Sequence, residues 1–132
     1  MNYPPAQGRF KIYLIDEVHM LSSHSFNALL KTLEEPPQHV KFLLATTDPQ
    51  KLPITIQSRC LQFHLQHLDA DQITKQLAHI VRDQKVEYHE AGLALIAQHA
   101  HGSMRDAITL LEQTLAACSG TLDEASVSSM LG

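Results

Sequence analysis

The most chemically suggestive stretch of the chain is Lys11-Ile12-Tyr13-Leu14-Ile15-Asp16-Glu17, an apolar run that ends in two adjacent carboxylates. A hydrophobic strand delivering acids at its C-terminal end puts them where open α/β sheets bind ligands. In phosphoryl transfer the Asp of such a strand helps to hold Mg²⁺, commonly through water. The Glu beside it can polarise an attacking water as general base. The plainer alternative is a strand that ends in a polar turn with two solvated acids. A second apolar run closes on Ala45-Thr46-Thr47-Asp48-Pro49. A hydroxyl there would lie beside the first run's carboxylates and could orient water or touch a γ-phosphate, although Thr, Asp and Pro are also ordinary turn residues. Ser58-Arg59-Cys60 offers a guanidinium able to stabilise transition-state charge, including in a neighbouring subunit, or simply a surface arginine. Arg105 poses the same choice.

These residues need elements to position them. Residues 10–16 and 40–46 are short, nearly continuous apolar runs, the pattern of strands buried on both faces of a parallel sheet. Between them Phe26, Leu29, Leu30 and Leu33 recur at helical spacing, with Ser22 or Ser23 as N-cap, and Pro36 and Pro37 end the helix. Strand, helix and strand in this order predict a βαβ unit. Leu61-Gln62-Phe63-His64-Leu65 reads as a third strand. Beyond Leu68 only helical patterns remain. Asp69 or Asp71 can cap a helix bearing Ile73, Leu77, Ile80 and Val81; Leu93, Ile96, Ala97 and Ala100 form a second stripe. Ser103 and Asp106 suggest a capping box before Met104, Ile108, Leu111 and Leu115. Residues 123–131 suggest a short fourth helix. The predicted class is thus α/β followed by all-α, with the two parts meeting near residues 66–68.

Composition narrows the function classes. The chain has 132 residues, 44% hydrophobic and 18% charged, enough for a packed core. A net charge of -4 argues against binding nucleic acid by bulk electrostatics. Residues 1–66 carry +1 and residues 67–132 carry -5, so two units with different surfaces are expected. No apolar run approaches the ~20 residues of a membrane span, and nothing reads as a signal peptide. Cys60 and Cys118 match no zinc or redox spacing. A soluble, intracellular protein is the expectation. Cys60 reads as a small core residue and the nine histidines as solvated or hydrogen-bonded groups, since His89, His99 and His101 lack the spacing of a helical zinc pair.

Taken together and in order, the acidic strand end, Ala-Thr-Thr-Asp, Ser-Arg-Cys and Gly-Ser-Met-Arg-Asp resemble the AAA+ ATPases of bacterial clamp loaders. Residues 16–21 (Asp-Glu-Val-His-Met-Leu), 27–37 (Asn-Ala-Leu-Leu-Lys-Thr-Leu-Glu-Glu-Pro-Pro) and 42–53 are similar to the gamma/tau family of DNA polymerase III almost word for word. The likeness is most specific over residues 9–65 and looser in the helical half, where Gly102 to Asp106 carry most of it. The resemblance implies a partial AAA+ sheet over residues 1–66 and a helical lid domain over residues 67–132. It implies that Asp16 and Glu17 are the Walker B pair, for Mg²⁺ and for water activation. Thr47 is then the sensor 1 residue, Arg59 an arginine finger given in trans, and Arg105 the sensor 2 residue of the lid. Implied for the parent are ATP and Mg²⁺, other clamp-loader subunits, a sliding clamp and primer–template DNA as partners, no membrane, and a cytoplasmic, nucleoid-associated setting in bacteria.

One departure is large. The five glycines offer no G-x-x-x-x-G-K-[ST] loop, hence no backbone nest and no lysine for phosphates. The expectation is a fragment of a motor subunit that alone neither binds ATP tightly nor hydrolyses it. The alternative is a stator-like subunit that lends Arg59 to a neighbour and hydrolyses nothing; intact Asp16, Glu17 and Thr47 favour the motor. A third reading, an unrelated α/β scaffold, predicts that Arg59 is dispensable to every partner.

Overall fold

The computed structural model describes residues 3–132, which divide into two compact units, one ending at His64 and one beginning at Leu65. The first unit holds strand β1 (Lys11–Ile15), helix α1 (Ser23–Glu34), strand β2 (Val40–Leu44) and the single-turn helix α2 (Ile54–Gln57), with 3₁₀ turns at Val18–Met20 and Pro49–Lys51. β1 and β2 pair in parallel, from Lys11 opposite Val40 to Ile15 opposite Leu44. α1 begins at Ser22, whose Oγ accepts the Ser25 amide at 3.2 Å, and ends at Glu34, ahead of Pro36 and Pro37. One sheet face carries Tyr13, Ile15, Phe42 and Leu44. Ile15, Phe42 and Leu44 pack on a core of Val18, Phe26, Leu29 and Ile56, and the Tyr13 and Phe42 rings stack with centroids 5.6 Å apart.

Two sequence expectations fail here. The strands are not buried on both faces: Ile12, Leu14 and Leu43 are 64%, 68% and 55% exposed. They alternate outward from a sheet of two strands, and among the described residues of this unit no second layer covers that side. Nor do residues 61–65 form a strand. A strand exists only when a neighbouring backbone pairs with it, and among the described residues none pairs with this segment. Leu61, Phe63 and Leu65 consequently stand 87%, 83% and 95% exposed.

The second unit contains α3 (Ala70–Asp83), α4 (Glu90–His99), α5 (Met104–Ala117) and α6 (Glu124–Leu131). α3 opens with a reciprocal capping box: Asp69 Oδ1 accepts the Gln72 amide at 2.7 Å, and Gln72 Oε1 accepts the Asp69 amide at 3.1 Å. Ser103 caps α5 through the Asp106 amide, but the expected return bond from Asp106 is not made. The core joins Ile73, Leu77 and Val81 to Leu93, Ile96, Ala97 and Ala100, with Ala107, Leu111, Leu122 and Val127. On α5 the inward stripe therefore runs through Ala107 and Leu111 rather than Ile108. Thr74 and Thr114 are buried among these residues and satisfy their hydroxyls on the carbonyls of Ala70 and Leu110, each at 2.7 Å.

Gly92 sets the closest approach in this bundle. A Cβ there would lie 2.8 Å from the Leu122 carbonyl oxygen and 3.1 Å from the Asp123 carbonyl carbon. Both are backbone atoms, tied down by the His89 amide donating to Leu122 O at 2.9 Å. Alanine is the better helix former by ~1 kcal/mol, yet Gly92→Ala is expected to destabilise the unit by about 1–3 kcal/mol through overpacking. Urea denaturation checks this; an unchanged or raised midpoint would mean that the 122–123 segment yields.

The two units differ in what holds them. Among the described residues, four buried side chains centre the first core and eleven the second, and each apolar side chain left on an open sheet face forgoes roughly 1.5–3 kcal/mol of burial. Amide hydrogen exchange is therefore expected to be faster at residues 40–46 than at residues 104–115. Stronger protection at 40–46 would contradict it.

Candidate functional site: the acid pair and the threonine turn

β1 carries the chain to Asp16 and Glu17, and the parallel β2 ends beside it at Ala45, Thr46 and Thr47. The two loops are stitched together by backbone: the Ala45 amide donates to Ile15 O at 2.9 Å, and the Val18 amide donates to Ala45 O at 3.0 Å. Val18, fully buried, anchors the turn that follows. Between the strand and that anchor Glu17 adopts φ 49° and ψ 45°, a left-handed conformation that costs a non-glycine residue roughly 1–2 kcal/mol. Strain of this kind persists where surrounding structure imposes it, and it gathers at functional sites.

The consequence is a cluster of polar groups on Glu17. Thr47 Oγ1 donates to Glu17 Oε2 at 3.2 Å. His19 Nε2 stands 3.3 Å from the same oxygen, and its Nδ1 meets Thr46 Oγ1 at 2.7 Å. Thr46 Oγ1 also accepts the Asp48 amide at 3.0 Å. Asp16 is exposed, with Oδ1 taking the Glu17 amide at 2.9 Å. The structure thus brings Asp16, Glu17 and Thr47 to one place. It also brings in His19, which sequence reasoning passed over as one solvated or hydrogen-bonded histidine among nine. The available signal was its position two residues after Glu17, just past the end of an apolar strand.

No group of three or more His, Cys, Asp or Glu side chains among the described residues is arranged to hold a metal ion. Mg²⁺ is bound through one or two carboxylates together with water and substrate phosphates rather than in an all-protein cage. Asp16, exposed at the strand end, fits as such a carboxylate.

Arg59 lies elsewhere in the first unit. Gln57 Nε2 donates to Pro49 O and Leu52 O at 3.0 and 2.8 Å, tying α2 to the preceding turn, and buried Ile56 anchors it. From its end the Arg59 guanidinium donates to Thr55 O at 3.0 Å and to Glu34 Oε1 at 3.1 Å. Neither partner belongs to the acid–threonine cluster. The pair is solvent-exposed, 37% and 47% for the two side chains, and such pairs are worth at most ~1 kcal/mol. The arginine is rested at the surface and cheaply released. Cys60, beside it, packs against the Val18 core; burial pushes its thiol pKa up, which suits a core residue and not a nucleophile.

Arg105 belongs to the second unit, exposed in the first turn of α5. Gly102 sets that helix start: its φ is 84°, and a Cβ would lie 2.6 Å from His67 Cβ. The Leu68 amide donates to Gly102 O at 3.1 Å. A side chain at 102 would displace the turn from which Ser103 and Arg105 follow.

A parallel strand pair with acids and threonines at its ends, followed by a helical bundle, is a partial AAA+ fold with its helical lid. Comparison with solved structures agrees: the Holliday junction branch migration motor RuvB of Thermotoga maritima superposes with a TM-score of 0.81 at 20% identity, over 91% of this chain and 43% of that one. Residues 1–69 match the family model "DNA polymerase III, delta subunit", and residues 72–120 match "DNA polymerase III clamp loader subunit, ATPase lid domain". Among curated proteins, DNA polymerase III subunit tau of Escherichia coli is 62% identical over all of this chain and 20% of its own length. Subunit gamma of Buchnera aphidicola from Acyrthosiphon pisum is 55% identical over 98% of this chain and 36% of its own. The chain belongs to the DNA polymerase III clamp-loader subunit family, of the gamma/tau kind, and spans about a fifth of the E. coli relative's length. No helix among the described residues is long and apolar enough to cross a membrane.

Proposed function

We propose that this chain is the Walker B, sensor and lid portion of an ATP-driven clamp-loader subunit, which places a sliding clamp on primed DNA in the bacterial cytoplasm. The observation that carries the proposal is the hydrogen bond between Thr47 and Glu17 beside an exposed Asp16: an acid for a metal, an acid for a water and a hydroxyl for a phosphate at one sheet edge. Bound Mg·ATP would supply the electrophilic γ-phosphoryl group and neutralise part of its charge. Asp16 would hold the metal through water. Glu17, with Oε2 engaged by Thr47, offers Oε1 to orient and deprotonate the attacking water. Thr47 has a single hydroxyl proton, placed on Glu17 here, and would turn it to the γ-phosphate when nucleotide is bound. Arg59 leaves Glu34 and acts in trans on the site of the adjacent subunit, and Arg105 serves as the sensor 2 residue of the lid.

The test is reconstitution of the full-length subunit carrying these residues with its partner subunits, followed by clamp- and DNA-stimulated ATP turnover. Turnover indifferent to the loss of both Glu17 and Arg59 would remove the reading.

A further inference from the structure

We infer that His19 is a positioning residue for Glu17, a role resting on the reading of Glu17 as the base. The polar contacts form one chain. Asp48 N–H donates to Thr46 Oγ1, and the same hydroxyl meets His19 Nδ1 across 2.7 Å. In the tautomer in which Thr46 donates to Nδ1, the ring proton is on Nε2, and Nε2 lies 3.3 Å from Glu17 Oε2. Thr47 Oγ1 donates to the same Oε2. One hydroxyl hydrogen-bonds this carboxylate oxygen and the His19 ring lies within ion-pair distance of it, while Oε1 takes no hydrogen bond among the described residues and stays open to a water.

The ring is suited to hold a position. Its side chain is only 9% exposed, against 49% for Glu17, and it follows buried Val18, whose amide is tied to Ala45 O. Glu17 by contrast is an exposed side chain on a left-handed residue, with several rotamers open to it. Clamping Oε2 from two sides confines the carboxylate before any substrate arrives, and a fixed general base is what catalytic positioning requires. His19 touches neither phosphate nor metal in this scheme; it acts through Glu17.

The test uses the full-length subunit in its reconstituted complex and compares His19→Ala, His19→Asn and His19→Gln. The Gln amide can reach the Nε2 position and keep an N–H toward Glu17, whereas the Asn amide reaches only the Nδ1 position and keeps Thr46. We expect His19→Ala and His19→Asn to lower kcat by ~10-fold or more, with affinity for a fluorescent ATP analogue within ~2-fold of wild type, and His19→Gln to recover most of the loss. Equal recovery by Asn and Gln, or nucleotide affinity falling in step with kcat, would make the ring a packing element and overturn the proposal. So would a His19→Gln protein no faster than His19→Ala at the same thermal midpoint. If Glu17→Gln itself left turnover intact, the reading of Glu17 would fall and this proposal with it; Glu17→Gln inactive with all three His19 variants at wild-type rate would sink the positioning role alone.

Discussion

Glu17→Gln, in the assembled full-length subunit, is expected to lower ATP turnover at its own site by ~10²-fold or more while nucleotide stays bound. The amide is nearly isosteric and can still accept the Thr47 hydroxyl at its oxygen, so the loops joined by the Val18 and Ala45 amides have no reason to part. What it loses is the capacity to take a proton. A general base contributes in the transition state and not to ground-state binding, so kcat should fall while affinity for ATP holds. The measurement is single-turnover hydrolysis beside equilibrium nucleotide binding. Loss of binding in parallel with turnover would mean that Glu17 shapes the site rather than acting on water. Turnover unchanged in Glu17→Gln but lost in Arg59→Ala would favour the stator-like alternative.

Arg59→Ala is expected to leave hydrolysis at its own subunit's site intact and to reduce hydrolysis at the neighbour's by ~10³-fold or more, the scale of an arginine finger supplied in trans. The structure explains why this should cost little stability. The guanidinium sits on an exposed carboxylate, Glu34, and one carbonyl, Thr55, and removal of an exposed pair of this kind is worth at most ~1 kcal/mol. Mixed complexes, in which a single subunit carries the substitution, assign the defect to one site. A loss confined to the mutated subunit's own site would place the arginine in cis; unchanged rates at every site would make it an ordinary surface residue. Arg59→Lys should not rescue fully, because an ammonium cannot reproduce the planar fork of donors.

Much of this molecule was legible in its sequence. Phe26, Leu29, Leu30 and Leu33 announced α1, and Ile73, Leu77 and Val81 announced α3, because burial on one helix face repeats every 3.6 residues and the period survives in the chain itself. Caps were legible for the same local reason: Ser22, Asp69 and Ser103 each bond an amide three residues on. The motif Asp16-Glu17 with Thr47 and Arg59 pointed to the family that the comparisons establish. Residues 61–65 misled, since an alternation of apolar and polar residues states only that a strand is possible, and a strand needs a partner backbone to exist.

What the sequence by itself determined, then, is the two paired strands, the longer helices and the identity of the polar groups at their ends, for these follow from patterns spanning a few residues. Only the tertiary structure decided that His19 leans on Glu17 and Thr46, that Arg59 rests on Glu34, and that Gly92 must stay bare against Leu122. Each of those depends on how closely two distant stretches of backbone approach, a distance set by the packing of whole elements and written in no local period.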